Sequence, residues 1–587
     1  MKDKFNTGHI FGSKGDFDNT LACCKDIVGR FVFNSGEFKD KEFSCDGKTV
    51  EYVKHVLDER SLLSMKLQKL YTYTSLNYDI NQKDDTFKKM QNEVINLSDE
   101  ISSSTKYITT TLGALGDDVL EYLECNESLK SHSNYFKSLR KNKKRILSLE
   151  TEEVLSTLGG NKYDDVYERL TTCELPFDEV IVNGEAIKVD YKNFQKYSKD
   201  QNREVRESVY RAHYGSYQKF GQTLSDLMNA HLSDINRSRK IRKYDSMLQS
   251  SLDGDGIDVS IYKAFISAVK SHIPELHDIL RYKKSRLGVD VLMYHDLKVP
   301  LMSMVKDFSY DDAVGVCLEG ASVIGDGYKA VFEKAFGDSW IDVYPADAKR
   351  TGAYMNGSVY DVHPYILLNY QGKIGDVSTL AHELGHAVHS YFSNRVQPFE
   401  KSRYSTFTAE IASITAELVV TDALAGKVGG DVARYIKEYN IDQFRTTLFR
   451  QAMFAEFELW MSEVVENGGM ITLEEANCKY LSLLREYHGH DDGVCVIDDY
   501  CAAEWLIVPH FYYDFYVWQY STSFINSVVF FNRIKGGDAS TFLKMLELGG
   551  SEYPFDILKS CGVDFEDADI FKPAFEYLSE LLTSLKA

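Results

Sequence analysis

The chain has 587 residues and a mass of 67.0 kDa, so it can bury a substantial core and is expected to form two or more domains. Its formal net charge of −21 argues against nucleic acid and anionic membranes as partners, because both would repel it. A content of 44% hydrophobic and 26% charged residues is typical of a folded globular protein and excludes general disorder.

The first residues, MKDKFNTGHIFGSKGDFDN, contain no apolar core of signal-peptide length, and no later run approaches 18 uninterrupted apolar residues. The ten cysteines show no paired Cys-x-x-Cys spacing, which indicates reduced thiols rather than a structural zinc ribbon. We therefore expect a cytoplasmic protein without a membrane partner.

The early part of the chain has the composition of long helices, since no proline occurs before Pro176. Residues 203–240 show the helical spacing most clearly, because apolar side chains recur there at intervals of three, four or their sums. We interpret the following residues as a stripe that faces a core: Val205, Val209, Ala212, Phe220, Leu224, Leu227, Leu232 and Ile235.

A departure from helical spacing occurs at residues 349–376, KRTGAYMNGSVYDVHPYILLNYQGKIGD. Residues that favour β-structure alternate there with Gly, Asn and Pro, which predicts two or three short strands. Such a sheet could hold an extended peptide along an exposed edge, although a plain structural hairpin fits the pattern as well. Asp376 and Ser378 then offer oxygens that could cap the following helix.

That helix carries the sequence TLAHELGHAVHSYFSN, residues 379–394. His382 and His386 are four residues apart, so both imidazoles leave the same helix face and could share one Zn²⁺ at ~2.0–2.1 Å. Glu383 lies one position after His382, where its carboxylate could take a proton from a water molecule at the metal. The pattern predicts a zinc site that still lacks a third ligand.

Two glutamates on the next predicted helix could complete the site. The stretch STFTAEIASITAELVVTDALAG begins near Ser405 and places Glu410 and Glu417 seven residues apart on one face, among apolar residues. A buried carboxylate needs a cation or a hydrogen-bond donor, so one glutamate could bind zinc and the other could orient a ligand histidine. The spacing alone does not decide which of them is the ligand.

Two other groups of ligand-type residues compete with this site. His389 shares the face of His382 and His386, but a fourth protein ligand would close the position that water needs, so we assign it a supporting or packing role. The run HGHDD, residues 488–492, lies in a polar, glycine-containing segment and is interpreted as a solvated loop.

An aromatic segment near the C-terminus is a candidate for transition-state stabilisation. Residues 507–522, IVPHFYYDFYVWQYST, contain one histidine and four tyrosines within eleven positions, namely His510, Tyr512, Tyr513, Tyr516 and Tyr520. Aromatic-rich segments are usually core, but donors beside a metal could also stabilise the oxyanion of peptide cleavage. Both interpretations stay open.

Several of these motifs together resemble the thimet oligopeptidase-like zinc peptidases, and within them the oligoendopeptidase F branch. The resemblance extends from about residue 200 to the C-terminus and is loose before that. The segments that carry it are GAY at 352–354, PYILLNYQG, LAHELGHAVHSYFSN, AEIASITAE, IVPHFYYDFYVWQYST and LGGSEYPFDILKSCGVD.

The resemblance implies a mainly α-helical, ellipsoidal fold with an internal channel and a small β-sheet beside the active site. It implies an N-terminal helical region over residues 1–195 and a catalytic domain over 196–587. It also implies one catalytic Zn²⁺, with His382, His386 and Glu410 as ligands, Glu417 behind them and Glu383 as general base.

For the substrate, the resemblance implies short peptides cut internally, held by Gly352, Ala353 and Tyr354. His510 and Tyr516 would stabilise the transition state. Trp518 occupies a position where relatives often carry tyrosine, so Tyr513 stays an alternative as phenol donor and substrate contact. The rival interpretations are a zinc carboxypeptidase with the same helix motif and a peptide-binding helical protein without catalysis. The oligomeric state is left open, a monomer being compatible.

Overall fold

The structure is a computed structural model that describes residues 3–158, 162–302 and 307–586. It is 73% helical, and this confirms the prediction of a mainly α fold. The α-helices of the described residues are α1 (Lys14–Asp40), α2 (Gly47–Ile80), α3 (Asp85–Gly113), α4 (Asp117–Glu124), α5 (Ser133–Asn142), α6 (Leu149–Leu158), α7 (Tyr163–Arg169), α8 (Tyr191–Tyr197), α9 (Arg203–Gln218), α10 (Gly221–Ile241), α11 (Met247–Leu252), α12 (Val259–Ser271), α13 (Ile273–Leu287), α14 (Tyr310–Ile324), α15 (Asp326–Gly337), α16 (Ile374–Val396), α17 (Phe399–Ser402), α18 (Thr406–Val428), α19 (Gly430–Gln443), α20 (Arg450–Glu466), α21 (Leu473–His488), α22 (Trp518–Lys535), α23 (Ser540–Leu548), α24 (Pro554–Ser560) and α25 (Lys572–Lys586). The strands are β1 (Glu179–Val182), β2 (Glu185–Lys188), β3 (Ile341–Asp342), β4 (Tyr354–Asn356) and β5 (Tyr365–Leu367).

The chain forms two compact units that alternate along the sequence. Unit 1 contains Met1–Gly159, Lys306–Leu424 and Phe530–Val563. Unit 2 contains Gly160–Val305, Ala425–Val529 and Asp564–Ala587. Each unit is thus assembled from separate segments of the chain.

In unit 1, long N-terminal helices begin at side-chain caps. Ser13, Asp46 and Asp84 each accept a hydrogen bond from a backbone N–H in the first turn of α1, α2 and α3. Apolar side chains of these helices form one core, and Val359, Tyr365 and Leu367 from the region of the small sheet belong to the same core. The N-terminal helices therefore cover the sheet that lies before the histidine helix.

The small sheet of unit 1 has the strand order β3-β5-β4. Strand β5 pairs antiparallel with β4, with Met355 opposite Ile366, and parallel with β3. Strands β4 and β5 confirm the prediction of short strands within residues 349–376, whereas the sequence does not predict β3, since two residues leave no periodic pattern. Strand β4 is at the edge of this sheet.

The histidine helix α16 follows the sheet and begins about two turns before its motif. The Asp376 carboxylate accepts hydrogen bonds from the backbone N–H groups of Gln371 and Lys373, at 2.8 and 2.9 Å, so this residue caps the helix as predicted. The prediction for Ser378 is wrong, because its hydroxyl donates to Glu417 on α18 at 2.5 Å.

Unit 2 contains the apolar stripe, divided between two helices. Helix α9 ends at Gln218 and α10 begins at Gly221, so Lys219 and Phe220 interrupt the helical segment. Val205, Val209, Leu224 and Leu232 are buried, while the remaining predicted stripe residues are half-buried. The stripe thus marks a core-facing surface, but it does not show the interruption.

A buried carboxylate lies in the core of unit 2. Glu504, 1% exposed, accepts hydrogen bonds from the hydroxyl groups of Tyr214, Tyr294 and Tyr480 and forms an ion pair with Arg450 at 2.7 Å. These partners compensate the cost of burying the charge. Among the described residues, the structure has no helix that is both long and apolar enough to span a membrane.

Candidate metal centre and active site

Helices α16 and α18 bring three ligand-type side chains of unit 1 to one point. One ligand atom from each of His382, His386 and Glu410 lies within 4.8 Å of the other two. Glu410 Oε2 is 3.3 Å from His382 Nε2 and 3.6 Å from His386 Nε2. This is the spacing of donors that face a common centre.

Close contact between the two helices makes this geometry possible. Gly385 lies between the two histidines of the motif, on the side that faces α18. A Cβ atom there would lie 2.7 Å from the backbone oxygen of Ala412 and 2.7 Å from the Ser413 Cα. Only glycine allows this approach, so the second x of His-Glu-x-x-His is fixed by packing.

Glu417 lies behind the site and contacts His382 from the other side of its ring. Its Oε2 is 3.4 Å from His382 Nδ1, and its Oε1 accepts the hydrogen bond of Ser378. Because a carboxylate can only accept, the His382 ring donates from Nδ1 to Glu417 and from Nε2 toward Glu410, and a metal at Nε2 would take the place of the second proton. The structure therefore places the Glu410 carboxylate beside Nε2 of both histidines and the Glu417 carboxylate beside Nδ1 of His382.

The charges of the site favour a cation. Burial opposes protonation of His382, but hydrogen bonds and charges from Glu410 and Glu417 outweigh it and raise its pKa to about 10. Burial would raise the pKa of Glu410, yet the contacts with His382 and His386 hold it at about 2. The two imidazoles are thus surrounded by the carboxylates of Glu383, Glu410 and Glu417. Two histidine nitrogens and one carboxylate are a donor set typical of a catalytic divalent metal. The residues fit Zn²⁺.

Glu383 occupies a drier position than an ordinary surface carboxylate. It is 7% exposed, and burial raises its pKa to about 7, while a backbone hydrogen bond from Met355 of strand β4 opposes that rise. A carboxylate with this pKa can take and return a proton near neutral pH. Its carboxylate thus lies between its own helix, α16, and the edge strand β4.

His389 has no ligand geometry. Its ring stacks on Tyr404 with centroids 3.5 Å apart and planes 10° apart, and it is fully buried. Neither ring nitrogen has a hydrogen-bond partner among the described residues. This agrees with the packing role inferred from the sequence.

The predicted substrate-binding residues lie at and before the edge strand. Gly352 is exposed with φ of +83°, and its carbonyl accepts a hydrogen bond from Asn369 at 2.7 Å, whereas Ala353 is half-buried. The Tyr354 hydroxyl donates to Asp79 of α2 at 2.7 Å. The side chain of Tyr354 is thus held by the scaffold, and its backbone is what the strand presents.

A cavity of about 150 Å³ lies beside β4 within unit 1. Its lining includes Met355, Gly357, Ser390, Asn394 and Tyr404. A Cβ at Gly357 would lie 2.1 Å from Ser390 Oγ, so a larger residue there would fill the space between strand and helix. The cavity has the size of one side chain.

The aromatic segment belongs to unit 2 and includes a 3-10 turn, Pro509–Tyr512, rather than one continuous helix. The His510 ring is 6.3 Å from Tyr516 in a nearly parallel orientation, 5.7 Å from Tyr513 and 5.9 Å from Tyr520. Tyr513 is 49% exposed, whereas Trp518 is buried. Burial lowers the pKa of His510.

A turn with strained backbone, at Asp514 and Phe515, lies within this aromatic segment. Asp514 and Phe515 have positive φ values of 49° and 62°, which are uncommon for residues with side chains. The Phe515 N–H donates to the buried Glu458 carboxylate at 2.6 Å, and Ser251 donates to the Asp514 carbonyl at 2.7 Å. The turn is thus held in place by two distant segments of unit 2.

The interpretation of residues 488–492 as a solvated loop is partly wrong. His488 is the last residue of α21 and is buried, with Nδ1 at 2.9 Å from the carbonyl of Leu484. His490 accepts a hydrogen bond from the Ile497 N–H at 2.9 Å. Both histidines serve local structure.

Sequence reasoning missed the contributions of Ser378, Tyr404, Asp79 and Glu458. Ser378 precedes His382 by four residues, so helical spacing could have revealed it as a neighbour of that ligand. Asp79 lies 275 residues from Tyr354, and no sequence signal connects them.

Comparison with known proteins decides the family. Residues 196–577 match peptidase family M3, and residues 112–177 match the family described as oligopeptidase F. The chain belongs to peptidase family M3. It is therefore a metallopeptidase, and the resemblance found in the sequence is confirmed.

Individual relatives match most of the chain. Group B oligopeptidase PepB of Streptococcus agalactiae is 32% identical over 89% of this chain and 88% of its own length. Oligopeptidase PepF of Bacillus subtilis is 28% identical over 100% and 87%. Among solved structures, a protein of Chlamydophila abortus matches with a TM-score of 0.88, 26% identity and coverage of 99% and 98%. Oligoendopeptidase-F of Enterococcus faecium matches in fold with a TM-score of 0.72, 24% identity and 98% coverage of each chain.

Proposed function

We propose that this M3 peptidase is a zinc endopeptidase that hydrolyses internal bonds of short peptides. The observation that carries the proposal is the convergence of His382, His386 and Glu410, with Glu383 buried beside them. The names of the relatives, which include oligopeptidase and oligoendopeptidase F, support the substrate class.

His382, His386 and Glu410 would hold the metal, and Zn²⁺ bound there supplies a Lewis acid that polarises a peptide carbonyl and lowers the pKa of water. Glu417 keeps the proton of His382 on Nδ1, so that Nε2 is available. Glu383 takes the proton of the attacking water and returns it to the leaving amine. Its raised pKa suits both steps.

The substrate backbone would pair with the outer edge of strand β4, preceded by Gly352 and Ala353. Backbone pairing accepts many sequences, and the cavity lined by Met355 and Ser390 would take one side chain. His510, with Tyr516 or Tyr513, would donate hydrogen bonds to the oxyanion of the transition state.

The deciding experiment compares Glu383→Gln with wild type. The variant should keep zinc and fold but lose nearly all hydrolysis, since the amide cannot accept the proton of water. Glu547→Gln, a change at an exposed glutamate of the same unit, is the matched control and should remain fully active. Near-normal turnover by Glu383→Gln would contradict the proposed general base.

A second measurement separates the rival functions. Peptides with an amidated C-terminus should be cut as well as free peptides, and mass spectrometry should find internal cleavage sites. A carboxypeptidase would require the free carboxylate and release single residues. Binding of peptides without any cleavage by the zinc-loaded wild type would identify a peptide-binding protein instead.

A further inference from the structure

A second cavity lies wholly within unit 2 and has no residue in common with the metal centre. Its volume is about 270 Å³, slightly below the range of ~300–1,000 Å³ typical of small-molecule sites. Helices α13 and α19, the residue Lys199 and the segment 298–302 form its walls. A cavity of this volume suits a ligand smaller than a typical drug molecule.

Three lysines line this cavity, namely Lys199, Lys283 and Lys298. Lys283 is 6% exposed and has neither a hydrogen-bond nor an ion-pair partner among the residues that the structure describes. The Lys298 ammonium lies 4.5 Å from the centroid of the Phe194 ring, a weak substitute for a counter-charge. Lys199 is exposed at the margin.

The acidic residues of the same cavity are already compensated by arginines. Asp442 accepts two hydrogen bonds from Arg445, at 2.8 and 3.0 Å. Glu438 accepts one from Arg286 at 3.1 Å and one from the Tyr282 hydroxyl at 2.8 Å. Among the described residues, neither of these carboxylates forms an ion pair with a lysine that lines the cavity.

Burial disfavours the charged forms of the two inner lysines, Lys283 and Lys298. Burial lowers the pKa of Lys283 to about 8, although the charge of Asp442 opposes the shift. Burial, together with the charge of Arg450, lowers the pKa of Lys298 to about 7. A buried ammonium without a partner is expensive, so an anion in the cavity would stabilise both charged forms.

The rest of the lining is apolar or aromatic. Ile279, Val299, Leu301 and Ile441 contribute aliphatic surface, and Tyr435 contributes a ring. A bare inorganic ion would leave this surface without contact. The lining therefore fits a molecule with an acidic group at one end and an apolar body at the other.

We propose that this cavity, the lysine pocket (Lys199, Lys283 and Lys298), binds a small organic anion that carries a carboxylate or phosphate group on an apolar body. The site is independent of the proposed peptide hydrolysis, because its residues all belong to unit 2 and include none of the metal centre. It gives the enzyme a second ligand class.

Isothermal titration calorimetry on the full-length protein at low ionic strength tests the proposal with four probes. Phenyl phosphate and benzoate should bind, inorganic phosphate should bind more weakly than phenyl phosphate, and benzyl alcohol should not bind. Whichever of the two aromatic anions binds more tightly identifies the acid class. Binding should also take up protons between pH 7 and 8, measured in two buffers of different ionisation enthalpy, because the anion favours charged lysines. Equal binding of benzyl alcohol, or no binding of either aromatic anion, would overturn the proposal.

Three variants assign the binding to the pocket. Lys283→Met should weaken binding of the preferred anion by about tenfold or more, the usual effect of losing a charge-assisted hydrogen bond. The neighbour Lys284 does not line the cavity, so Lys284→Met is the matched control and should bind as wild type does. Lys199→Gln changes an exposed residue, folds irrespective of core packing, and should weaken binding severalfold.

A labelling measurement on wild type gives an independent result. Lysines with a lowered pKa are nucleophilic near neutral pH, so a limiting amount of acetic anhydride should acetylate Lys283 or Lys298 early, and phenyl phosphate should protect them. Lys284 should show no protection. Equal acetylation with and without phenyl phosphate, or unchanged affinity in Lys283→Met and Lys199→Gln, would refute the lysine pocket.

Discussion

Glu417 Oε2 lies 3.4 Å from Nδ1 of His382, on the side of the ring opposite to Glu410. When a metal occupies Nε2, this contact would hold the remaining proton of the imidazole on Nδ1. Ser378 holds the other oxygen of the same carboxylate.

We expect Glu417→Gln to lower zinc affinity by about 10–100-fold, because the amide is a weaker acceptor for the His382 proton. Titration with a competing chelator would measure the zinc affinity of the variant and of the wild type. Ser378→Ala should have a smaller effect in the same direction. Asp422→Asn, on the same helix but paired with Lys535, is the control and should leave affinity unchanged. Unaltered zinc affinity in Glu417→Gln would remove this glutamate from the site.

The ligand assignment has its own test in metal content. Purified protein should contain about one zinc ion per chain, and His382→Ala, His386→Ala or Glu410→Ala should each reduce retention, as measured by mass spectrometry of the metal. His389→Phe keeps a ring against Tyr404 and should retain zinc. Full zinc occupancy in Glu410→Ala would contradict Glu410 as the third ligand and leave Glu417 as the alternative.

The aromatic group should act on turnover rather than on folding. We expect His510→Ala to lower kcat by ~10²–10³ with a smaller change in KM, since a donor to the oxyanion acts in the transition state. Zinc content and Tm should stay near wild type. Tyr516→Phe and Tyr513→Phe form a matched pair, and the larger loss of kcat identifies the phenol donor. Reduced stability with normal turnover would make His510 a core residue.

Substrate length should limit cleavage. Peptides of about 5 to 20 residues should be hydrolysed, because an extended chain must pair with a strand edge. The sharpest comparison uses one cleavable sequence twice, as an isolated peptide and inside a stably folded domain. Only the peptide should be cut, as judged by mass spectrometry. Efficient digestion of the folded domain would defeat the size limit and leave the zinc chemistry intact.

Acid should destabilise unit 2 through His213. This ring is 1% exposed, stacks on Phe194 at 4.1 Å, and has a pKa lowered to about 4 by burial. Between about pH 6.5 and 4 the unfolded state binds the extra proton, so stability falls as pH falls, by about 3 kcal/mol in total for this group.

Replacing the ring tests this origin. His213→Phe preserves stacking without titration, so its Tm should fall less steeply over that pH range, although loss of the hydrogen bond to the Val189 carbonyl lowers stability at neutral pH. The exposed His55 provides the control, and His55→Phe should follow wild type. An unchanged slope in His213→Phe would assign the acid sensitivity to other groups.

Sequence spacing alone groups those parts of the candidate site that lie close together along the chain. His382, Glu383 and His386 are related by helical spacing, and Glu410 and Glu417 follow on the next long helix. Spacing does not distinguish these two glutamates, because both occupy one helix face, whereas the structure shows that Glu410 lies near both imidazoles. Periodicity shows which side of a helix is buried, but not which partner covers it.

Contacts between distant segments cannot be predicted from the sequence either, because periodicity does not identify the partner of a buried face. The hydrogen bond from Tyr354 to Asp79 and the one from Phe515 to Glu458 join residues whose proximity depends on the whole fold. The lysine pocket is a similar case, since Lys283 and Lys298 belong to different segments and neither stands out in a charged, helical sequence.

Because the N-terminal helices share a core with the small sheet, they cannot be removed without exposing that sheet. Tyr365 and Leu367 of β5 are covered by side chains from the N-terminal helices, so a chain that began at residue 196 would expose this side of the sheet to water. Strand β4 depends on β5 for its pairing, and Glu383 faces β4. Truncation of the N-terminal helices, or recombination at that point with an unrelated partner, would therefore disturb the active site from behind. The N-terminal helices and the candidate active-site residues of unit 1 therefore depend on one shared core.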